Sequence, residues 1–267
     1  MRFSLVFVLV NNMLIDSHCH INDLVFLGKE NQYVKEAKNN GVEIMLVVGY
    51  DVASSLRAVE IAEQFEGVFA AVGIIPAEVK NVEDGDLVKI EALLTNKKVI
   101  AIGEIGLDYY WDKEEKLKYS QREYFIKQIK LANKYNLPVS IHCRDGYENC
   151  LEILKEHPVN KKGIIHCFSS SPEMAKNFVK LGYLIGIGGT CTFKNAVKTK
   201  AVAKLVDNEH FVLETDAPYL TPEPFRGKEN QSKYLSYIRD EIAFQKGIHS
   251  SEVEELSTNN FKRLFNL

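Results

Sequence analysis

Val99-Ile100-Ala101-Ile102-Gly103-Glu104 is a short apolar run that ends on a carboxylate. It is too short for a helix and nearly continuous in small and β-branched residues, as in a strand covered on both faces. The same pattern recurs on either side. Downstream, Pro138–Ile141 ends on His142, Gly163–Ile165 ends on His166, and Phe211–Leu213 leads to Asp216. Upstream, Leu14–Ser17 leads to His18 and His20. With Glu43–Gly49, Val68–Ile74 and Leu184–Gly188 the runs number eight. Helix-compatible segments lie between most of them: Val52–Phe65, Asp86–Leu94, Gln121–Tyr135, Pro172–Leu181 and Asn195–Val206. Ser232–Phe244 and Ser251–Phe265 read as closing helices. Strands alternating with helices at this length predict an α/β protein, a single (β/α)8 TIM-type barrel over residues 13–267. A doubly wound open sheet is the second choice.

Composition narrows the function classes. The 267 residues carry 33 Lys+Arg against 36 Asp+Glu, a formal net charge of -3, which excludes a broadly basic duplex-binding face. Hydrophobic residues at 46% exclude a disordered chain. Five cysteines without a CxxC pair point to a reducing, cytoplasmic setting. No apolar run approaches the length of a membrane span. Residues 1–12 read as an apolar N-terminal extension or a mis-called leader ahead of Met13. Their apolar run resembles a signal segment but lacks a small-residue cleavage site.

In a barrel of this type the carboxyl ends of the strands converge on one face. His18, His20, Glu104, His142, His166 and Asp216 therefore point at one mouth. Residues i and i+2 of a strand share a side, so His18 and His20 reach one ion while Cys19 turns away. The same alternation sets aside Cys143 and Cys167. Imidazole with carboxylate suits Zn, Mn, Fe or Co and tolerates Mg with more water. Six donors are too many for one open catalytic site and suit two divalent ions. Glu104 is the expected bridge, and Asp216 the ligand that also accepts the proton of the attacking water. Arg144, two residues beyond His142, and Arg226 and Lys228, in the Pro-rich loop after the last strand, are candidate phosphate contacts. Tyr109, Tyr110 and Trp111 are a candidate stacking wall. Asp108 is a candidate for orienting a ligand histidine. His157, His210 and His249 are read as surface or loop residues.

Five motifs carry a resemblance. Asp16-Ser17-His18-Cys19-His20, Gly103-Glu104-Ile105-Gly106-Leu107-Asp108-Tyr109-Tyr110, Ile141-His142-Cys143-Arg144-Asp145, Ile165-His166-Cys167-Phe168-Ser169 and Glu214-Thr215-Asp216-Ala217-Pro218 resemble the TatD-type metal-dependent deoxyribonucleases of the amidohydrolase superfamily. The resemblance spans about residues 13–265. It implies a TIM-type barrel, two divalent metals (Mg, Mn or Zn), and 3′→5′ trimming of DNA at single-stranded ends by a monomer or weak oligomer. It also implies that the same six residues ligate metal. The sequence departs from the family at three places. Gly73-Ile74-Ile75-Pro76-Ala77 lacks the histidines usual after the third strand, Ser170 replaces a glycine, and Gln231-Ser232 replaces Glu-Pro. The missing histidines motivate the alternative, a metal-dependent ester or amide hydrolase such as an aminoacyl-tRNA deacylase on the same barrel. A metal-bearing scaffold without catalysis is the third reading, against which Glu104 and Asp216 stand.

Overall fold

A computed structural model describes residues 13–267, so the extension or leader expected over residues 1–12 lies outside the described residues. Eight parallel strands follow one another around a single sheet in sequence order: β1 (Leu14–Cys19), β2 (Val42–Val48), β3 (Val68–Val72), β4 (Val99–Asp108), β5 (Val139–Arg144), β6 (Gly163–Ile165), β7 (Leu184–Ile187) and β8 (Phe211–Leu213). Their helices are α1 (Glu30–Asn39), α2 (Val52–Gln64), α3 (Asp86–Leu93), α4 (Glu115–Tyr135), α5 (Tyr147–Glu156), α6 (Pro172–Lys180), α7 (Val197–Leu205), α8 (Leu235–Lys246) and α9 (Ser250–Phe265). The seam is drawn together just past β1 and β8, where His20 N donates to the Ala217 carbonyl (2.7 Å) and Asp216 N to the His18 carbonyl (2.9 Å). The fold is a (β/α)8 barrel. None of the described helices is long and apolar enough to cross a membrane.

The core has two layers. Ile15, Leu46, Val48, Ala71, Ala101, Ile164, Leu184 and Val212 fill the barrel interior, and Phe261 and Phe265 of α9 pack against them. Alternate residues such as Met45, Val47, Ile141, Ile165 and Leu213 face outward against the helices. Every strand thus buries both faces, which is why the runs lack polar alternation. The interior set lies below the mouth, so the polar residues that follow on the same strands are lifted to the carboxyl ends of the strands.

Two strands change side on the way. Ile15 faces inward, and simple alternation would then turn Ser17 and Cys19 inward. A register irregularity in the β1–β2 pairing between Asp16 and Cys19 reverses this, and Cys19 packs in the outer layer. Likewise Ala101 faces in, and an irregularity between Ile102 and Ile105 in the β4–β5 pairing spans Glu104. Bulge-like shifts of this kind re-aim side chains.

Candidate metal centre

His18 and His20 leave the end of β1, Glu104 lies within β4, His142 within β5, His166 just after β6, and Asp216 three residues after β8. All six are gathered in one place. The Glu104 carboxylate sits between two groups. Its Oε2 lies 3.5 Å from both His18 Nε2 and His20 Nε2, and its Oε1 lies 2.9 Å from His142 Nδ1 and 2.8 Å from His166 Nε2. Asp216 Oδ1 joins the first group, 3.4 Å from His20 Nε2 and 3.8 Å from His18 Nε2. His18 and His166 stack with ring centroids 3.8 Å apart.

The outward nitrogens of these rings are mostly held. His20 Nδ1 donates to the Val48 carbonyl at 2.8 Å, which leaves a lone pair on Nε2 of the neutral ring. His18 Nδ1 meets Ser140 Oγ at 3.0 Å, and His142 Nε2 meets Asp108 Oδ2 at 3.0 Å. Such outer partners fix which nitrogen a ligand histidine presents. His18 Nε2 and His20 Nε2 then face each other at 3.2 Å, an arrangement that a shared cation relieves. The donor set fits divalent metal: His18, His20 and Glu104 form one group able to hold an ion, and Glu104, His142 and His166 another.

The electrostatics agree. Burial opposes the charged form of Glu104, but the His166, His142 and His18 imidazoles outweigh it and hold the carboxyl well below the usual range. Asp216 is likewise buried, and the hydrogen bond from His20 with the charges of His166 and His18 keeps it ionised below its ordinary value. Burial pulls His18 down, whereas for His166 the Glu104 and Glu214 carboxylates override burial and raise it well above normal.

Sequence reasoning misses Glu214, which is fully buried. Its Oε1 accepts from Cys167 N (2.5 Å) and lies 3.6 Å from His166 Nδ1, while Oε2 has no hydrogen-bond partner among the described residues. A Cβ on Gly186 would sit 2.3 Å from that oxygen, so the glycine is what admits the carboxylate. It misses Asp16 as well, two residues before His18, which accepts from Thr215 N (2.9 Å) and Thr215 Oγ1 (2.6 Å). The i, i+2 rule that pairs His18 with His20 is the signal that could have flagged Glu214 beside Asp216.

The candidate substrate residues separate. Arg144 is exposed at the mouth with its guanidinium 3.8 Å from the centre of the Tyr110 ring. Arg226 and Lys228 are exposed on the loop after β8, where they lie over Phe193 and Phe225. The Tyr109 hydroxyl is taken by Arg122 Nε of α4 at 2.8 Å, so this ring faces the helix layer. Of the remaining histidines, His249 caps α9 by accepting from Ser251 N, and His210 lies 3.4 Å from Asp207.

The model of the family described as TatD related DNase matches residues 15–266. The chain belongs to that family. YabD of Bacillus subtilis (strain 168), described as an uncharacterized metal-dependent hydrolase, is 41% identical over 256 residues, covering 96% of this chain and all of the relative. The crystal structure of YjjV, a TatD homolog from Escherichia coli K12, superimposes with a TM-score of 0.90 at 32% identity, covering 95% and 98% of the two chains. A TatD family hydrolase from Entamoeba histolytica shares the fold at 22% identity and a TM-score of 0.83, covering 94% and 97%. This TatD family member is a metal-dependent hydrolase.

Proposed function

We propose that the protein is a two-metal phosphodiesterase that trims DNA from the 3′ end, working in the cytoplasm. The observation that carries this reading is the division of the Glu104 carboxylate, one oxygen toward His18, His20 and Asp216 and the other toward His142 and His166. In this reading His18, His20 and Asp216 would hold one divalent ion and His142 and His166 another, with Glu104 able to serve both groups. When bound, the ions supply Lewis-acid polarisation and charge neutralisation at the phosphoryl group.

The chain's own residues do the rest. Asp216 combines an ionised carboxylate with a side chain 12% exposed, against 3% for Glu104, so it is the carboxylate that water reaches and the one that takes the water's proton. Its backbone takes a positive φ of 56°, and its carboxylate lies 3.4 Å from His20 Nε2. Glu104, deeper and surrounded by imidazoles, keeps its charge throughout. Arg144, Arg226 and Lys228 offer exposed cations to the phosphates on either side of the cleaved bond.

The test is trimming of an end-labelled single strand by metal-loaded protein beside Asp216→Asn. We expect stepwise shortening from the 3′ end, lowered at least about a thousandfold in the variant with its metal retained. Equal shortening in both proteins, or none in either with metal bound, refutes the reading. The second outcome favours the ester or amide alternative, which rests on Ile75 and Ala77 beyond the end of β3. Turnover of an aryl ester well above that of an aryl phosphodiester would then decide for it.

A further inference from the structure

We propose that Trp111, Tyr110 and Arg144 form a stacking subsite for one unpaired nucleobase of the substrate, an inference that rests on the phosphodiesterase reading. The three groups lie together at the ends of β4 and β5. Arg144 lies 3.8 Å over the Tyr110 ring and 5.5 Å from that of Trp111, and the two rings meet edge to face at 4.7 Å. Trp111 is 69% exposed and Tyr110 42%, so rim packing does not account for them. A large aromatic pair with a cation stacked on it, left open to water, is a surface made for a flat π-face carrying negative charge nearby.

The loop is held by a set of hydrogen bonds, and one carboxylate ties it to the metal centre. Asp108 Oδ1 accepts from the backbone amides of Tyr110 (3.0 Å) and Trp111 (3.3 Å), while Oδ2 meets His142 Nε2 (3.0 Å). Gln121 clamps the base of the loop, pairing both backbone groups of Asp108 and donating to Asp112. Tyr109 N donates to the Arg144 carbonyl at 2.9 Å, so the cation is carried on the same frame. The aromatic pair is thereby placed relative to His142 before substrate arrives, which lowers the ordering cost of binding. A duplex hides its base faces within the stack, so such a subsite selects single-stranded ends.

Trp111 is the single tryptophan of the chain, and its fluorescence reports this subsite alone. Metal-loaded enzyme is titrated with a phosphorothioate single-stranded deoxyoligonucleotide, which resists hydrolysis, and with an abasic strand of equal length. The base-bearing strand should quench Trp111 and bind about tenfold more tightly, equivalent to about 1.4 kcal/mol. Anisotropy of a labelled strand should show that gap closed in Trp111→Ala and partly kept in Trp111→Phe. Equal affinity for the two strands, or a gap that survives Trp111→Ala, overturns the subsite, while the trimming assay decides the nuclease reading separately. Failure of both strands to bind, together with absent trimming, overturns both.

Discussion

Asp16 is fully buried beneath the mouth, and its carboxylate faces Thr215 rather than a cation. Burial raises its carboxyl, the Thr215 hydrogen bonds lower it in part, and the result is about 6 against an ordinary 3.8. A folded value above the unfolded one means the native state holds this proton more tightly. Its contribution to stability is complete below about pH 3.8 and is lost as pH rises through about 6. The full swing is about 3 kcal/mol, of which about 1.4 kcal/mol falls between pH 5 and 8. Asp16→Asn can keep the Thr215 contacts but has no such titration. In urea denaturation of metal-free protein, wild type minus variant should therefore become less favourable by about 1–2 kcal/mol from pH 5 to pH 8. A difference flat with pH would show that Asp16 titrates normally.

Buried amides on α4 hold the barrel's rim in a way that no strand or helix pattern announces. Gln121 and Gln128 lie on one face of the helix, and each pairs both backbone polar groups of a single residue at that rim. Gln121 takes Asp108 and adds Asp112; Gln128 takes Ile74 N at 2.8 Å and Ile74 O at 3.0 Å. Gln121→Leu preserves volume and leaves the Asp108 backbone and the Asp112 carboxylate without partners. Loss of about 2–4 kcal/mol is expected from those stranded groups, read as a lower urea midpoint at unchanged slope. A midpoint equal to wild type would mean that water replaces the amide. The eight strands and the i, i+2 pairing of His18 with His20 are legible because burial on both faces and backbone alternation leave a direct mark on sequence. The reversals of side within β1 and β4 are not, since a register irregularity depends on the neighbouring strand. For the same reason β4 runs on to Asp108 although its apolar run stops at Gly103. Helix α1 leaves little trace in the sequence because only Val34 and Ala37 of it are fully buried.

The six gathered residues come from β1, β4, β5, β6 and β8, so whatever they hold in common ties the barrel around its circumference. That includes the seam, where His20 and Ala217, and Asp216 and His18, are joined by backbone hydrogen bonds. Without cations the centre packs four imidazoles around Glu104, Asp216 and Glu214 in a largely buried pocket, and among the described residues Glu214 Oε2 has no hydrogen-bond partner. Ligand binding to the folded state alone stabilises it by mass action, about 2.7 kcal/mol at a hundredfold excess over Kd. No comparable donor cluster survives in the unfolded chain, because its members are spread from residue 18 to residue 216. Chelation should therefore lower Tm by roughly 5–10 °C for a chain of this size, and readdition of metal should restore it. Glu104→Gln touches both groups at once, so its Tm should respond little to chelator. If instead Tm is unchanged by chelation while metal demonstrably leaves, the barrel carries its own closure and the centre is held for chemistry alone.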